Sequence, residues 1–492
     1  MSDGPSMAGR ALQALLLMIG FYLLALAIAG ALIAIPIMEM AVANRLHLKL
    51  VVLCGAGAIA ILWGIMPRWD RFEAPGPELS PEQHPRLFEV LRGVASATNQ
   101  AMPVHVYLVG DVNAWVTERG GIMGLGSKRV MGLGLPLMQV LSVSQLRAVI
   151  AHEFGHFYGG DTKLGPWVYK TRSAIVRTLA SLGDDRPILQ KPFLWYGNMF
   201  LRITHAVSRH QEFAADALAA RTVGGKFMTE GLKIIHGASL SFSAYWNDDY
   251  RPVLGAGVLP PLAKGFGHFV SSRNVQEAVE KATAKAMEEW KTNPYDTHPS
   301  LPERTQALAG LPPGPHEEES SPSIALLEDV SKLEHKLFET ILREDFLAKA
   351  KALEWEEVPS HVFVPGWVVL AKKGRNWLEG LTLGSLPGML TNFESFAKTV
   401  NPDIPREGMP EDEFRRNWTM SLMGAATCVA LNSRGWTLTG LPGQPIAFKH
   451  NGVEFQPFHE LVEMVTDEAA RTTWTEKCER SGVASLPLAP DE

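Results

Sequence analysis

Ala151-His152-Glu153-Phe154-Gly155-His156 is the stretch on which the reading of this chain turns. Histidines four positions apart project from one helical face, about one turn apart, so both rings can reach a single metal ion. Glu153 sits beside that face, where a carboxylate can take the proton of a water whose pKa zinc has lowered to roughly 7. The competing reading is an accidental pattern in a buried helix. With 15 histidines in 492 residues, such an accident falls on the order of a few per cent of chains.

The flanks specify the helix. Ser142-Val143-Ser144-Gln145 fits a capping box, with Ser142 as N-cap and Gln145 reaching back. Leu146, Val149, Ile150 and Phe157 form an apolar stripe at helical spacing. Gly159-Gly160 is the expected end, because glycine accepts the left-handed C-cap conformation. Arg147 and Glu153 argue against a membrane-spanning helix here.

Two histidines do not complete a catalytic metal site. A third histidine six residues beyond His156 would define one class of zinc protease, but that position is Thr162. The better source of a ligand is Ser208-Arg209-His210-Gln211-Glu212-Phe213-Ala214-Ala215-Asp216. Glu212 and Asp216 share a helical face. Glu212 would complete a two-histidine, one-carboxylate site with an open position for water. Asp216 could accept the free ring N–H of a zinc-bound histidine and so fix its tautomer. His205 and His210 compete with Glu212. His205 lies on nearly the same face but about 10 Å along the axis, and His210 points to roughly the opposite side. A solvated helix face is the bland alternative, and the upstream pair weighs against it.

These elements, with Asp161, resemble the M48 family of zinc metallopeptidases, the group of HtpX-like and CAAX prenyl proteases. Asn113-Ala114 is similar to that family's Asn-Ala-Phe element, and Thr297-His298-Pro299 with Arg304 to its His-Pro…Arg element. The resemblance runs from about residue 10 to 310, with the motifs in family order. The chain departs from the family's Asn-Ala-Phe-Ala-Thr-Gly at Trp115-Val116-Thr117-Glu118. The resemblance implies one Zn²⁺ on His152, His156 and Glu212, with Glu153 as general base. It implies Asp216, Asp161 and Arg304 behind the ligands, Asn113 and Ala114 on a substrate-binding strand, and His298 donating to the oxyanion.

The net charge of −6 indicates no general affinity for nucleic acid. Cys54, Cys428 and Cys478 are an odd set without a Cys-x-x-Cys pair, so neither a disulfide framework nor a thiolate zinc site is expected. Residues 11–38 hold no charge, and 50–66 form a second, shorter uncharged run. The first is long enough to cross a core of about 30 Å and too long for a signal-peptide core. A membrane hairpin over 1–72 follows. Arg10, Arg68 and Arg71 outside it, against Arg45 and Lys49 in its link, favour cytoplasmic termini slightly. The resemblance implies the same, with a multi-pass protein of the inner cell membrane.

The expected fold is α+β: the N-terminal transmembrane hairpin, a mainly helical zincin-type protease domain with a small β-sheet over 73–310, a linker over 311–323, and a C-terminal α+β domain over 324–492. A helix from Pro85 to Thr98 and strands at Val104–Val109, Asn113–Thr117 and Arg129–Leu133 are expected in the protease part. An exposed edge strand there would let an extended peptide add to the sheet. Residues 183–191 read as a loop and Pro192–Ile203 as a short buried or interfacial helix. Tyr169–Leu182, with Lys170, Arg172 and Arg177, reads as a solvated basic face or one that rests on an anionic bilayer. Ile324–Trp355 reads as helical and Trp436–Phe455 as a hairpin.

The activity expected from this reading is that of a membrane-anchored zinc endopeptidase acting on membrane or misfolded proteins. The partners are a protein or peptide substrate and the lipid bilayer. The alternatives are a CAAX-type prenyl-peptide protease and a non-catalytic membrane scaffold with a structural zinc site. An intact Glu153 argues against the scaffold, since a structural site needs no base.

Overall fold

The computed structural model describes residues 7–67, 72–120, 126–157, 165–183, 186–288, 298–311, 314–315, 317–402 and 408–489. The expected markers at Arg68, Arg71, Gly159, Gly160, Asp161 and Thr297 lie outside these residues. The chain is mainly helical, with three small sheets among the described residues. It divides into two compact units, 1–238 with 281–340 and 239–280 with 341–492.

In the first unit, α1 (Met7–Ala43) and α2 (Leu48–Ile65) form the N-terminal hairpin. Leu12–Ala43 and Leu48–Ile65 are both long and apolar enough to cross a membrane. One stripe of α1, Ala14, Met18, Phe21, Ala25, Ala29 and Leu32, is buried at three- and four-residue spacing. The outward face is apolar as well, with Leu16, Leu23 and Leu26 exposed.

The hairpin does not stand alone. It packs against α6 (Gly165–Leu182) and the first half of α7 (Pro187–Thr222). Ala174, Ile175, Phe193, Tyr196 and Phe200 join Phe21, Cys54 and Ile61 in one apolar core. The Arg177 side chain donates to the Gly64 carbonyl at the end of α2. That contact differs from both readings of Arg177 as part of a solvated or lipid-facing basic surface. The expected loop at 183–191 is also shorter than read. Pro187 opens α7, where a missing N–H costs nothing. The short helix expected at 192–203 is the first half of a 36-residue helix.

The sheet follows the hairpin. Its strands are β1 (Glu78–Leu79), β2 (His105–Val109), β3 (Ala114–Arg119) and β4 (Lys128–Gly134), in the order β1-β2-β4-β3. β2 and β4 are parallel, and β3 is an antiparallel outer strand on β4. Helix α3 (Pro85–Ala97) and helix α5 (Val143–Gly155) pack together beside it. Leu87, Leu91, Leu108, Met131, Leu133, Leu146, Ile150 and Phe154 are fully buried there. The short helix α4 (Leu135–Val140) leads from β4 into α5.

Residues 317–323, read as linker, run against the start of α5. The N–H groups of Val143 and Ser144 donate to the carbonyls of Ser321 and Glu319, and Glu319 N–H donates to Ser144 Oγ. Arg147 pairs with Glu319 at 3.0 Å. Beyond it the stretch expected to be helical to Trp355 is broken. It holds a 3₁₀ turn at Ser323–Leu326 and helices at Val330–Ile341 and Glu344–Leu347.

The second unit has a core of helices around the three-stranded sheet Thr437–Thr439, Ala447–His450 and Val453–Phe455. The expected hairpin near Trp436–Phe455 is thus an antiparallel meander. Cys428 and Cys478 are buried there as free thiols. Tyr245, Tyr250, Phe266 and Trp355 form a buried aromatic group.

Candidate metal centre

The metal-site helix is capped as its sequence dictates. Ser142 Oγ accepts from Gln145 N–H, and the Gln145 side chain accepts from Ser142 N–H at 2.9 Å. The helix ends earlier than the Gly159-Gly160 expectation, at Gly155, and His156 is its C-cap. His156 keeps a right-handed helical backbone (φ −62°, ψ −18°), so the i, i+4 relation to His152 survives. Their ring centroids lie 4.8 Å apart, edge to face.

Helix α7 crosses α5 where Ala215 meets Gly155. That crossing puts Glu212 and Asp216 opposite the two histidines. Glu212 Oε2 lies 3.5 Å from His152 Nε2, and Glu212 Oε1 lies 3.6 Å from His156 Nε2. His152 Nδ1 is 2.8 Å from Asp216 Oδ1. The far ring nitrogen of His152 is thus engaged, and Nε2 is turned towards Glu212 and His156. Arg304 grips Asp216 with two hydrogen bonds, Nε to Oδ2 at 2.8 Å and Nη2 to Oδ1 at 2.7 Å. Its Nη1 is 3.4 Å from Glu212 Oε2. Arg304 stands on the Leu301–Ala309 helix, fixed by a second capping box between Ser300 and Glu303. His298, just before it, places Nδ1 3.0 Å from Glu212 Oε1 and leaves most of its ring exposed.

His152, Glu153 and His156 offer ligand atoms within 4.8 Å of one another. Glu212 Oε2 is buried and has no hydrogen-bond partner among the described residues. An acceptor that is buried and unsatisfied beside two converging imidazole nitrogens fits a cation. His205 and His210 do not converge with these groups: His205 is buried two turns earlier on α7, and His210 is exposed. Asp161 lies outside the described residues.

The protonation states follow from burial and neighbours. Burial lowers the His152 pKa, but the neighbouring Asp216 and Glu212 carboxylates outweigh it and raise the ring to about 9, so a metal ion binding at Nε2 would displace a proton. Burial drives His156 down to about 4, assisted by the charge on His152. His156 is therefore neutral at pH 7, the form that binds a metal. Glu212 is held well below the usual carboxylate range, and Asp216 is lowered as well. Burial opposes that in both; His152 and His298 override it at Glu212, and Arg304 and His152 at Asp216. Burial pushes Glu153 up to about 7, and the Glu212 charge adds to it. A carboxylate poised near neutrality can both take and return a proton.

One contact has no counterpart in the sequence reading. The backbone of Val116 hydrogen-bonds the Glu153 carboxylate. Gly134 N–H donates to Asn113 O, so Trp115 and Thr117 also bond inward to β4. Among the described residues, the N–H and C=O of Ala114 and the C=O of Val116 then face away from β4, with the Val116 N–H taken by Glu153. Asn113 sits just before the strand and Ala114 is its first residue. No side-chain motif marks such a contact, because the donor is the main chain.

Residues 81–311 match the sequence model of Peptidase family M48. The chain is 26% identical over 201 residues to Protease HtpX of Serratia proteamaculans (strain 568), covering 34% of this chain and 65% of that protein. It is 26% identical over 189 residues to Protease HtpX homolog of Tropheryma whipplei (strain Twist), covering 35% and 63%. The Protease HtpX homolog of Trichormus variabilis (strain ATCC 29413 / PCC 7937) is 25% identical over 235 residues, covering 42% and 75%. The chain spans a little under two thirds of the first two relatives. No solved structure matches it significantly.

Proposed function

We propose, because residues 81–311 match the sequence model of Peptidase family M48, that this chain is a membrane-anchored zinc endopeptidase. His152, His156 and Glu212 hold one zinc ion. The observation that carries this reading is the convergence of both histidine Nε2 atoms on the Glu212 carboxylate, with His152 Nδ1 fixed by Asp216. Bound zinc supplies a Lewis acid for the scissile carbonyl.

The chain's own residues do the rest. Glu153 takes the proton of the attacking water and hands it to the leaving amine. Asp216, clamped by Arg304, keeps His152 in one tautomer. His298 donates to the developing oxyanion. The outer edge of β3, with Ala114 and the Val116 carbonyl, receives an extended peptide through main-chain hydrogen bonds. Asn113 belongs to this assignment as the approach to that strand, and Asp161, outside the described residues, is given a supporting role by the family resemblance alone.

The substrates in this reading are membrane or misfolded proteins; the relatives' printed name, Protease HtpX, supports the protease activity alone. This reading puts the two apolar helices in the inner cell membrane and the peptidase domain in the cytoplasm. Zinc content and cleavage of casein in detergent test the reading on the full chain, with Glu212→Ala and His210→Ala beside the parent. Glu212→Ala loses metal and activity, and His210→Ala keeps both. The opposite pattern removes Glu212 from the ligand set. Zinc without cleavage in the parent would favour the scaffold reading, and cleavage of prenylated peptides alone would favour the CAAX type.

A further inference from the structure

The two halves of the metal site are anchored in different places. His152 and His156 stand on α5, which rests beside the sheet and is held at its start by residues 317–323. Glu212 and Asp216 stand on α7, and α7 is continuous from Pro187 to Thr222. Its first half is built into the N-terminal bundle. Phe193, Tyr196 and Phe200 are buried against α1, and the Tyr196 and Phe193 rings both pack on Phe21. The Tyr196 hydroxyl donates to the Leu17 carbonyl at 2.7 Å. From Tyr196 to Glu212 is about 24 Å along the axis at 1.5 Å per residue.

We propose that α7 is a strut that carries the packing of the N-terminal hairpin to the metal site, and that Tyr196 is a positioning residue for Glu212. The inference rests on Glu212 being a zinc ligand. A helix packed at both ends moves as a rod, because a close-packed contact does not deform continuously. At the far end, Ala215 meets Gly155 with no long side chain between them to absorb a shift. A displacement of α7 therefore changes the separation of Glu212 from His152 and His156. Ligand distances tolerate only about ±0.2 Å, so small shifts cost affinity.

The near end provides a one-methyl test. A β-carbon on Gly20 of α1 would overlap the Tyr196 hydroxyl, while the next nearest atom, Tyr196 Cζ, is 3.5 Å away. Gly30, on the same helix, has open space at that position. Zinc affinity is measured by chelator competition on the full chain in detergent, with the visible spectrum of the Co²⁺ form as a second readout. Gly20→Ala should weaken zinc by about tenfold, the scale of other groups that orient ligands. Tyr196→Phe in that background removes the clashing atom and should restore affinity to within about twofold of Tyr196→Phe alone. Gly30→Ala should bind as the parent does.

Parent-like affinity in Gly20→Ala, or a double variant as weak as the single one, overturns the strut. If Gly20→Ala does not fold, Tyr196→Phe alone decides. It loses the bond to Leu17 and should weaken zinc measurably, and unchanged affinity and Co²⁺ spectrum overturn the proposal. A parent chain that binds no zinc would overturn the metal reading itself, and the strut with it.

Discussion

Gly155 lies so close to Ala215 that a β-carbon at 155 would stand 2.7 Å from the Ala215 Cα and 2.9 Å from its Cβ. The two residues sit between the paired groups of the site, Gly155 between His152 and His156, Ala215 between Glu212 and Asp216. Their small size sets the distance between α5 and α7. Gly155→Val should part the helices, cost about 1–3 kcal/mol by overpacking, and weaken zinc binding more than Gly155→Ala does. Chelator competition and thermal unfolding of the two variants check it. Valine at 155 with parent-like metal affinity would mean that the spacing is not what holds the site.

Glu153→Gln keeps every proposed ligand and removes the base. Zinc content should stay at the parent level while kcat falls by about 10²–10⁴. The comparison of metal content with single-turnover cleavage decides it. Activity near that of the parent would end the general-base assignment.

His298→Ala separates two uses of one ring. His298 touches Glu212, yet its ring is largely exposed. Should its role be with the oxyanion, kcat should fall by about 10²–10³ with KM nearly unchanged. Zinc affinity should then move little, because Arg304 and His152 still flank Glu212. An unchanged kcat would leave His298 as a turn residue before Pro299.

The second unit carries a pH-dependent element of its own. Burial raises Asp249 to about 6, with the charge of Asp248 adding to it, although Gly443 N–H donates to the carboxylate at 3.2 Å. A carboxyl raised above its unfolded value favours the fold at low pH, and that contribution is lost as pH rises through about 6. Asp249→Asn should therefore raise the unfolding midpoint at pH 8 by roughly 2–4 °C. The gain should shrink between pH 6 and pH 4, as the native carboxyl becomes neutral. Calorimetry at the two ends of that range reads the difference, and a pH-independent gain would assign it to something other than ionisation.

Local features of the site were legible because local sequence dictates them. The Ser142–Gln145 capping box, the i, i+4 histidines and the valine-rich strand at 105–109 each rest on neighbours in the chain. The helix end was not, because Gly159-Gly160 offered a stronger stop signal than Gly155. Pro187 and Pro192 hid the continuity of α7, since proline reads as a breaker unless its place in the first turns is known. The packing of α7 on the hairpin, the Gly155–Ala215 crossing and the Val116 bond to Glu153 join residues remote in sequence. Periodicity carries no information about such partners.

The clasp of residues 317–323 on the start of α5 bears on where this molecule can be cut. The family match ends at residue 311, and every side chain proposed for the chemistry lies before that point. A fragment trimmed there would look complete on paper. It would nevertheless strip Val143 and Ser144 of the carbonyls of Ser321 and Glu319, and Arg147 of its carboxylate partner. Those groups stand within three turns of His152, at the end of the helix from which the metal-binding face is suspended. The smallest piece that keeps the chemistry intact is therefore longer than the piece that carries the recognisable sequence.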